Sequence, residues 1–438
     1  MNDEEMRTTR TPESSEVRGY TQIMPEDSEA ETAAQETAAA AEEPIRRAHR
    51  RETATPARRK KRRSVRKKAK LLRQLVMVFV VVLAGLAIKH VLDTRTSASY
   101  TLLSSSEREG SSQAAYMSFN GAILHYSSDG ASLGSTDGTQ VWNETYEMDT
   151  PVADASDSAV VIYDQKGTGM CVFDSRGLLG KITTELPILK ARVSSQGMIA
   201  AILEDGDTTW INFYSSAGET IATAKTRIDS PGYPVDLDVS PNGELLVVSY
   251  VYVDGTTPTS YVAFYNFGTT GQNQMDNMVS GYTYADVLVP QVRFLASDTA
   301  VAIRDDGMTL YKGAQIPAES LSVGEEEEIV SCFADDTAIG LVTADTEENS
   351  DTPYRMKLYD LKGKLIADRG FQAEYTTIRV DNGCILMYND KQLSVFTMFG
   401  QEKFHGTIEE GTIQDVCTIS KNRFLVVMNE SVATIKIR

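Results

Sequence analysis

Eight times between Ala122 and the C-terminus the chain repeats one order: a turn, an apolar triplet, a further strand-like run ending in an aromatic residue, and a glycine a few positions on. The triplets open at Ala122, Ala159, Met198, Leu245, Ala300, Ala338, Cys384 and Phe424. Their spacings are 37, 39, 47, 55, 38, 46 and 40 residues, a mean of about 43, which is the period of a four-stranded propeller blade. A unit this short cannot bury its apolar face alone, so it must stack on its neighbours. The spacing therefore predicts an all-β fold, a β-propeller. Dividing residues 99–438 by the period gives close to eight blades; seven, the alternative, leaves a whole unit unplaced.

Unit four shows the internal grammar most plainly. Val235 to Val239 alternates with period two, Ser240-Pro241-Asn242-Gly243 supplies the fixed φ and left-handed positions of a tight turn, and Glu244 to Tyr252 and Tyr261 to Phe267 follow as strands. Third strands end alike in Phe173-Asp174-Ser175-Arg176-Gly177, Tyr214 to Gly218, Tyr359 to Gly363 and Phe396 to Gly400. The expected aromatic role is packing between sheets, with glycine taking the positive φ of the next turn. Helical periodicity is absent from these units, which argues against an α/β enzyme. The last unit holds only three strand signals, Val416–Ile419, Phe424–Met428 and Val432–Ile437. A ring must pair its two ends or expose edge strands, and Ser99-Tyr100-Thr101-Leu102-Leu103 is the candidate for the missing fourth strand.

Upstream of the repeats the composition changes twice. Residues 1–45 hold twelve acidic and three basic residues with no apolar periodicity, the signature of a disordered tail. Residues 46–73 carry fifteen Arg or Lys against one acid, Glu52. Beyond Lys89 the chain holds 24 basic and 48 acidic residues, so the formal charge of −18 averages two opposite halves. Between them, residues 71–92 form the one stretch suited to a bilayer. Its uncharged part, Gln74 to Ile88, is 15 residues, roughly 22 Å as a helix, and Arg73 and Lys89 can extend their stems to the two headgroup levels. The basic cluster lies just before the span, which predicts a cytoplasmic N-terminus and an exported C-terminal domain. A cleaved signal peptide fits less well: the basic preamble is too long for an n-region, and no small-x-small site follows the apolar core. Arg58 to Lys70 meets a crude nucleic-acid charge test but has no interleaved aromatics; it reads as topogenic charge, with no nucleic-acid partner. The expected domains are a disordered cytoplasmic tail over 1–70 (acidic to 45, basic from 46), a single transmembrane helix over 71–92, a stalk over 93–98 and an extracytoplasmic β-propeller over 99–438.

The blade pattern resembles the quinoprotein and WD40-like propeller group, Gln140-Val141-Trp142 being similar to the strand-ending Trp of quinoprotein blades. The whole layout resembles a domain-of-unknown-function family of membrane-anchored proteins from Gram-positive bacteria. That resemblance implies a cell-envelope location and carries over no catalytic motif. The Trp signature does not recur in the other blades, so no quinone cofactor is expected.

Elements that could carry chemistry each have a plainer reading. Gly130-Ala131-Ser132-Leu133-Gly134 matches G-x-S-x-G, but it lies between two turns and lacks the strand, strained turn and helix that present a nucleophile. Only His125 and His405 fall in the outer domain, too few for most zinc or general-base sites. Acidic turns such as Glu204 to Asp207 and the run Glu325 to Glu328 lack calcium-loop spacing, so no metal is expected. Cys171, Cys332, Cys384 and Cys417 lie in apolar strand contexts and read as free thiols, Cys384 with Cys417 being the pair to test for a bridge. Two hairpins are read as expanded between second and third strands, Val253 to Thr259 and Asp345 to Pro353. Links between blades open on the same face, one read as carrying Tyr282 and Tyr284. Tyr252, Tyr282, Tyr284 and Tyr354 are the candidate partner contacts there. The expected function is a non-catalytic binding or scaffolding platform for an envelope protein or wall polymer. A sensor signalling to the tail and a quinoprotein-type enzyme are the alternatives, and the enzyme would need an acid and base cluster in the central channel.

Overall fold

The computed structural model describes residues 73, 74, 76–84, 96–107, 114–135, 139–227, 231–346 and 350–438. The expected tail and half of the expected transmembrane segment lie outside the described residues. Residues 73, 74 and 76–84 are helical, and no helix among the described residues is long and apolar enough to cross a membrane.

From Tyr100 onward the chain forms eight antiparallel four-stranded sheets, an eight-bladed β-propeller. Blades one to seven are sequential meanders over 115–145, 151–183, 188–227, 233–285, 291–324, 329–371 and 377–407. Blade eight takes three strands from 413–437 and its fourth from Tyr100–Glu107, which pairs antiparallel with Ser431–Ile437, Tyr100 opposite Ile437 and Glu107 opposite Ser431. The two ends of the ring sequence thus close it in one sheet, and seven blades are excluded. Each apolar triplet opens a second strand. Second strands are flanked within the sheet and covered on both faces by neighbouring blades, so they read as continuous apolar runs; Ala159 to Tyr163 is buried throughout. Fourth strands form the rim and alternate, as in Thr220–Arg227. The core lies between blades: Trp142 of blade one stacks on Phe173 of blade two at 4.8 Å, and Phe404 of blade seven packs with Val416, Val426 and Ile435 of blade eight.

Turn chemistry follows the sequence. Asn120-Gly121 and Asn382-Gly383 both have positive φ at each residue, the two-residue turn that matches strand twist. Phe173, Tyr214, Tyr359 and Phe396 are all buried at the ends of third strands. All eight pairings of third with fourth strand carry a register shift, in blades one to seven near the turn that joins the two strands; in blade eight, where no turn joins them, Leu103 is the unpaired residue.

Antiparallel order within blades and parallel inner strands around the ring give it two distinct faces. First-to-second and third-to-fourth turns open on one face, which we call the turn face; second-to-third turns and the links between blades open on the other, the link face. The chain enters its closing strand from the turn face. Ser97 makes a parallel bridge to Phe404, its N–H donating to the Lys403 carbonyl (2.9 Å) while its carbonyl accepts the His405 N–H (3.0 Å). Ser97, within the expected stalk over 93–98, is thus fastened to blade seven.

Two further expectations are corrected. In unit four, Val253 to Thr259 is not a loop: the second and third strands each run ten residues, Leu245–Asp254 and Thr257–Asn266, paired out to Asp254 opposite Thr257. The rest of that long interval lies between third and fourth strands, where residues 267–277 hold two short 3-10 turns. Tyr282 and Tyr284 belong to the fourth strand Met278–Ala285, not to a link, because the alternation Tyr-Thr-Tyr continues the ladder.

Candidate functional site

A lateral cleft of about 690 Å³ lies between blades three and four, and a second of about 230 Å³ adjoins it through Thr223, Ala224, Tyr265 and Asp276. One wall is the fourth strand of blade three. Four successive residues, Thr223 to Thr226, line the cleft, so the open backbone edge of the strand faces it, not one side-chain face alone. The other wall is blade four: Tyr252, Tyr261 and Tyr265 from the long hairpin, with Met275 and Asp276 from the 3-10 segment. Gly281 makes room for this wall, since a Cβ there would fall 2.0 Å from the Tyr261 hydroxyl. Tyr265 is held by a hydroxyl contact of 2.8 Å to Tyr250, and burial pushes its phenol up to about 12. Lys225 sits 5.0 Å over the Trp210 ring. The result is a mixed aromatic and hydroxyl-bearing groove beside an unpaired strand, suited to an extended chain that hydrogen-bonds along the edge.

Of the four candidate tyrosines, only Tyr252 lies here. Tyr282 donates to the Pro317 carbonyl (3.0 Å), and Tyr284 shares a hydrogen bond with Tyr311 beneath Arg304, 5.6 Å away. Tyr354 packs 5.6 Å from both Phe371 and Tyr375. The fold does not bring the four together.

The central channel holds the acid and base cluster that the sequence did not reveal. Inner-strand aspartates bridge neighbouring blades: Asp154 accepts the Val193 N–H (3.0 Å), Asp236 the Val292 N–H (3.0 Å) and Asp238 the Phe294 N–H (2.7 Å). Their carboxylates also meet cations: Arg192 on Asp154 (2.6 Å), Lys190 on Asp236 (2.8 Å) and Arg293 on Asp238 (3.7 Å). Arg293 of blade five also comes within 3.9 Å of Asp154 of blade two, so the network reaches across the channel. Burial pushes the Asp238 carboxyl up to about 6 although Arg293 and Arg192 pull it down. Burial opposes the charge on Arg192, but Asp154, Asp236 and Asp238 together outweigh it and raise its pKa. Between blades seven and eight, Arg379 pairs with Asp415 (3.2 Å), and Asp381 accepts the Thr418 N–H. The signal was present as charged residues alternating inside apolar first strands, as in Val235-Asp236-Leu237-Asp238-Val239. Each of these aspartates holds a neighbour's N–H or a cation, the chemistry of a fastening between blades.

The remaining motifs fall into the framework. Gly130–Gly134 is a whole third strand, and among the described residues no helix follows it. The four cysteines are free, Cys384 and Cys417 included, and burial pushes the Cys171 thiol up to about 11 and Cys417 to about 12.

Fold and site together define a β-propeller whose centre is fastened by ion pairs and whose open groove lies on its side. The family model described as a family of unknown function (DUF5711) matches residues 93–437, and the chain belongs to that family. A search of curated proteins finds no match. Solved propellers are similar in fold. BamB from Moraxella catarrhalis is 13% identical over 77% of this chain and 100% of its own, with a TM-score of 0.47. Sqt1 from Saccharomyces cerevisiae is 10% identical over 79% and 100%, at 0.49. Hydrazine synthase from Kuenenia stuttgartiensis is 9% identical over 64% and 94%, at 0.43.

Proposed function

We propose that this protein is a propeller displayed on the outer surface of the cell membrane, tethered by residues 71–92 with its N-terminus in the cytoplasm, and that it acts as a non-catalytic platform for an envelope protein or wall polymer. The tether rests on the sequence: a basic cluster of fifteen Arg and Lys directly before the apolar stretch, and a net acidic domain after it. The binding role rests on the lateral cleft, where an open strand edge runs beside three tyrosines. The paired state of the channel aspartates supports the non-catalytic reading, because a general base needs a lone pair free for substrate.

A photo-crosslinking amino acid at Thr223, with one at Asp390 as the control, tests this in intact cells. The reading expects a discrete adduct with a protein or wall polymer at 223 that disappears when Tyr252 and Tyr261 are both changed to Ala. Adducts identical at the two positions would contradict it.

A further inference from the structure

The two faces of the ring differ in charge and in exposed apolar surface. Among the described residues, the turns and links of the link face carry nineteen acidic and two basic residues. The turns of the other face, with the C-terminal Arg438, carry eight acidic and five basic. The acidic side includes Glu325 to Glu328 and both residues of the pair Asp305-Asp306.

The apolar asymmetry runs the opposite way. The register shift that opens every fourth strand leaves one residue unpaired, and in five blades that residue is an exposed aliphatic: Val141, Leu179, Ile221, Ile366 and Leu103. A bulge turns a side chain out of the ladder, and here it does so at the same level around the ring. The three other blades supply exposed apolar residues from the adjoining turns: Met275 (85% exposed), Ile316 and Phe399 (73%). All eight blades therefore present large apolar side chains toward the turn-face end of the rim. A single protein partner would concentrate such residues on a few blades. A collar spread over every blade at one level matches a planar apolar boundary.

We propose that the turn face lies against the bilayer, with this collar resting in the headgroup region and the acidic face directed away. The inference rests on the tethered reading given above. If Gln74 to Ile88 spans the bilayer, residues 89–96 alone join it to the fastened Ser97, and eight residues reach at most about 28 Å. The chain enters the ring from the turn face, so that face is nearest the membrane. An anionic surface repels the link face most strongly, which selects the same orientation.

The test uses the full chain reconstituted in vesicles of equal parts phosphatidylethanolamine and phosphatidylglycerol. An environment-sensitive fluorophore is attached to a cysteine placed singly at Phe399, Ile316 or Val141, and at Asp390 and Val253 on the link face, with quenching by lipids spin-labelled near the headgroup. Quenching at the first three sites several-fold above the last two is expected. Flotation of the chain with the vesicles but equal quenching at all five sites overturns the docking while leaving the tether intact. Failure to float overturns both. Quenching at 399, 316 and 141 that is replaced by protein-protein energy transfer as protein density rises makes the collar an interface between copies, and also overturns the proposal.

Discussion

Replacing Tyr100 tests ring closure at its most loaded residue. Its ring meets Phe404 of blade seven edge-on at 6.2 Å, and it packs against the buried cluster shared by blades seven and eight. Its hydroxyl donates to the Glu410 carboxylate (2.5 Å) and accepts the Glu409 N–H (3.1 Å). Tyr100→Phe removes only those hydrogen bonds, one of them to a charged group, for a loss of about 1–2 kcal/mol because Glu409 is exposed and water can replace part of it. Tyr100→Ala also removes the ring, adding about 2–3 kcal/mol of apolar burial and aromatic contact, a total of about 3–5 kcal/mol. Leu102→Ser, on the same strand but exposed, should change stability by less than about 0.5 kcal/mol. Urea unfolding of the three variants beside the parent measures the differences. If Tyr100→Ala costs no more than Leu102→Ser, residues 100–107 do not close the ring and the eighth blade is wrongly completed.

Other consequences are open to measurement. Asp238 has a carboxyl pKa raised by burial from an ordinary value near 3.8 to about 6, so the folded state holds its proton more tightly than the unfolded chain. Its contribution therefore favours folding most below pH 4 and is lost as pH rises through about 6; Asp238→Asn should flatten the stability profile between pH 4 and 6, and an unchanged slope there would show that the carboxyl is not desolvated. Asp236→Ala strands Lys190 and the Val292 N–H and should cost roughly 3–5 kcal/mol in urea unfolding, whereas a cost under about 1 kcal/mol would deny the fastening role. Gly281→Ala should displace the Tyr261 side chain into the cleft and abolish the crosslink at 223 while leaving thermal unfolding within a few degrees of the parent; an unaltered adduct would separate Tyr261 from binding. Cys171 and Cys417, buried and with raised pKa, should resist a neutral maleimide until the protein unfolds, and rapid native labelling of both would contradict the packing between blades.

What could be read from the sequence was whatever local chemistry repeats. Apolar second strands and terminal aromatics of third strands recur in blade after blade, so their spacing alone yields eight units and the closing role of residues near Tyr100. The site was less legible because it forms between units. Thr223 of blade three meets Tyr252 and Asp276 of blade four only when the two blades pack. Crediting the long interval in unit four to one hairpin puts Tyr282 and Tyr284 in a link; the strands extend instead, and the extra length after Phe267 shifts the fourth strand onto them. The channel aspartates alternate visibly with apolar residues, but their partners, Val292 N–H for Asp236 and Arg192 for Asp154, lie on other blades. Register shifts are likewise silent in sequence, so Val141 and Ile221 read as ordinary strand residues although the ladder turns them outward.

Accessibility of single cysteines to a membrane-impermeant biotin maleimide, in intact cells and in inside-out vesicles, tests the display of the ring most directly. Cysteines introduced at Asp390 in the ring and at Thr55 in the basic run are compared with the parent chain as the blank. Labelling is expected at 390 but not 55 in intact cells, and the reverse in inside-out vesicles. Labelling at 55 but not 390 in intact cells, or at neither in intact cells and both in inside-out vesicles, would contradict it.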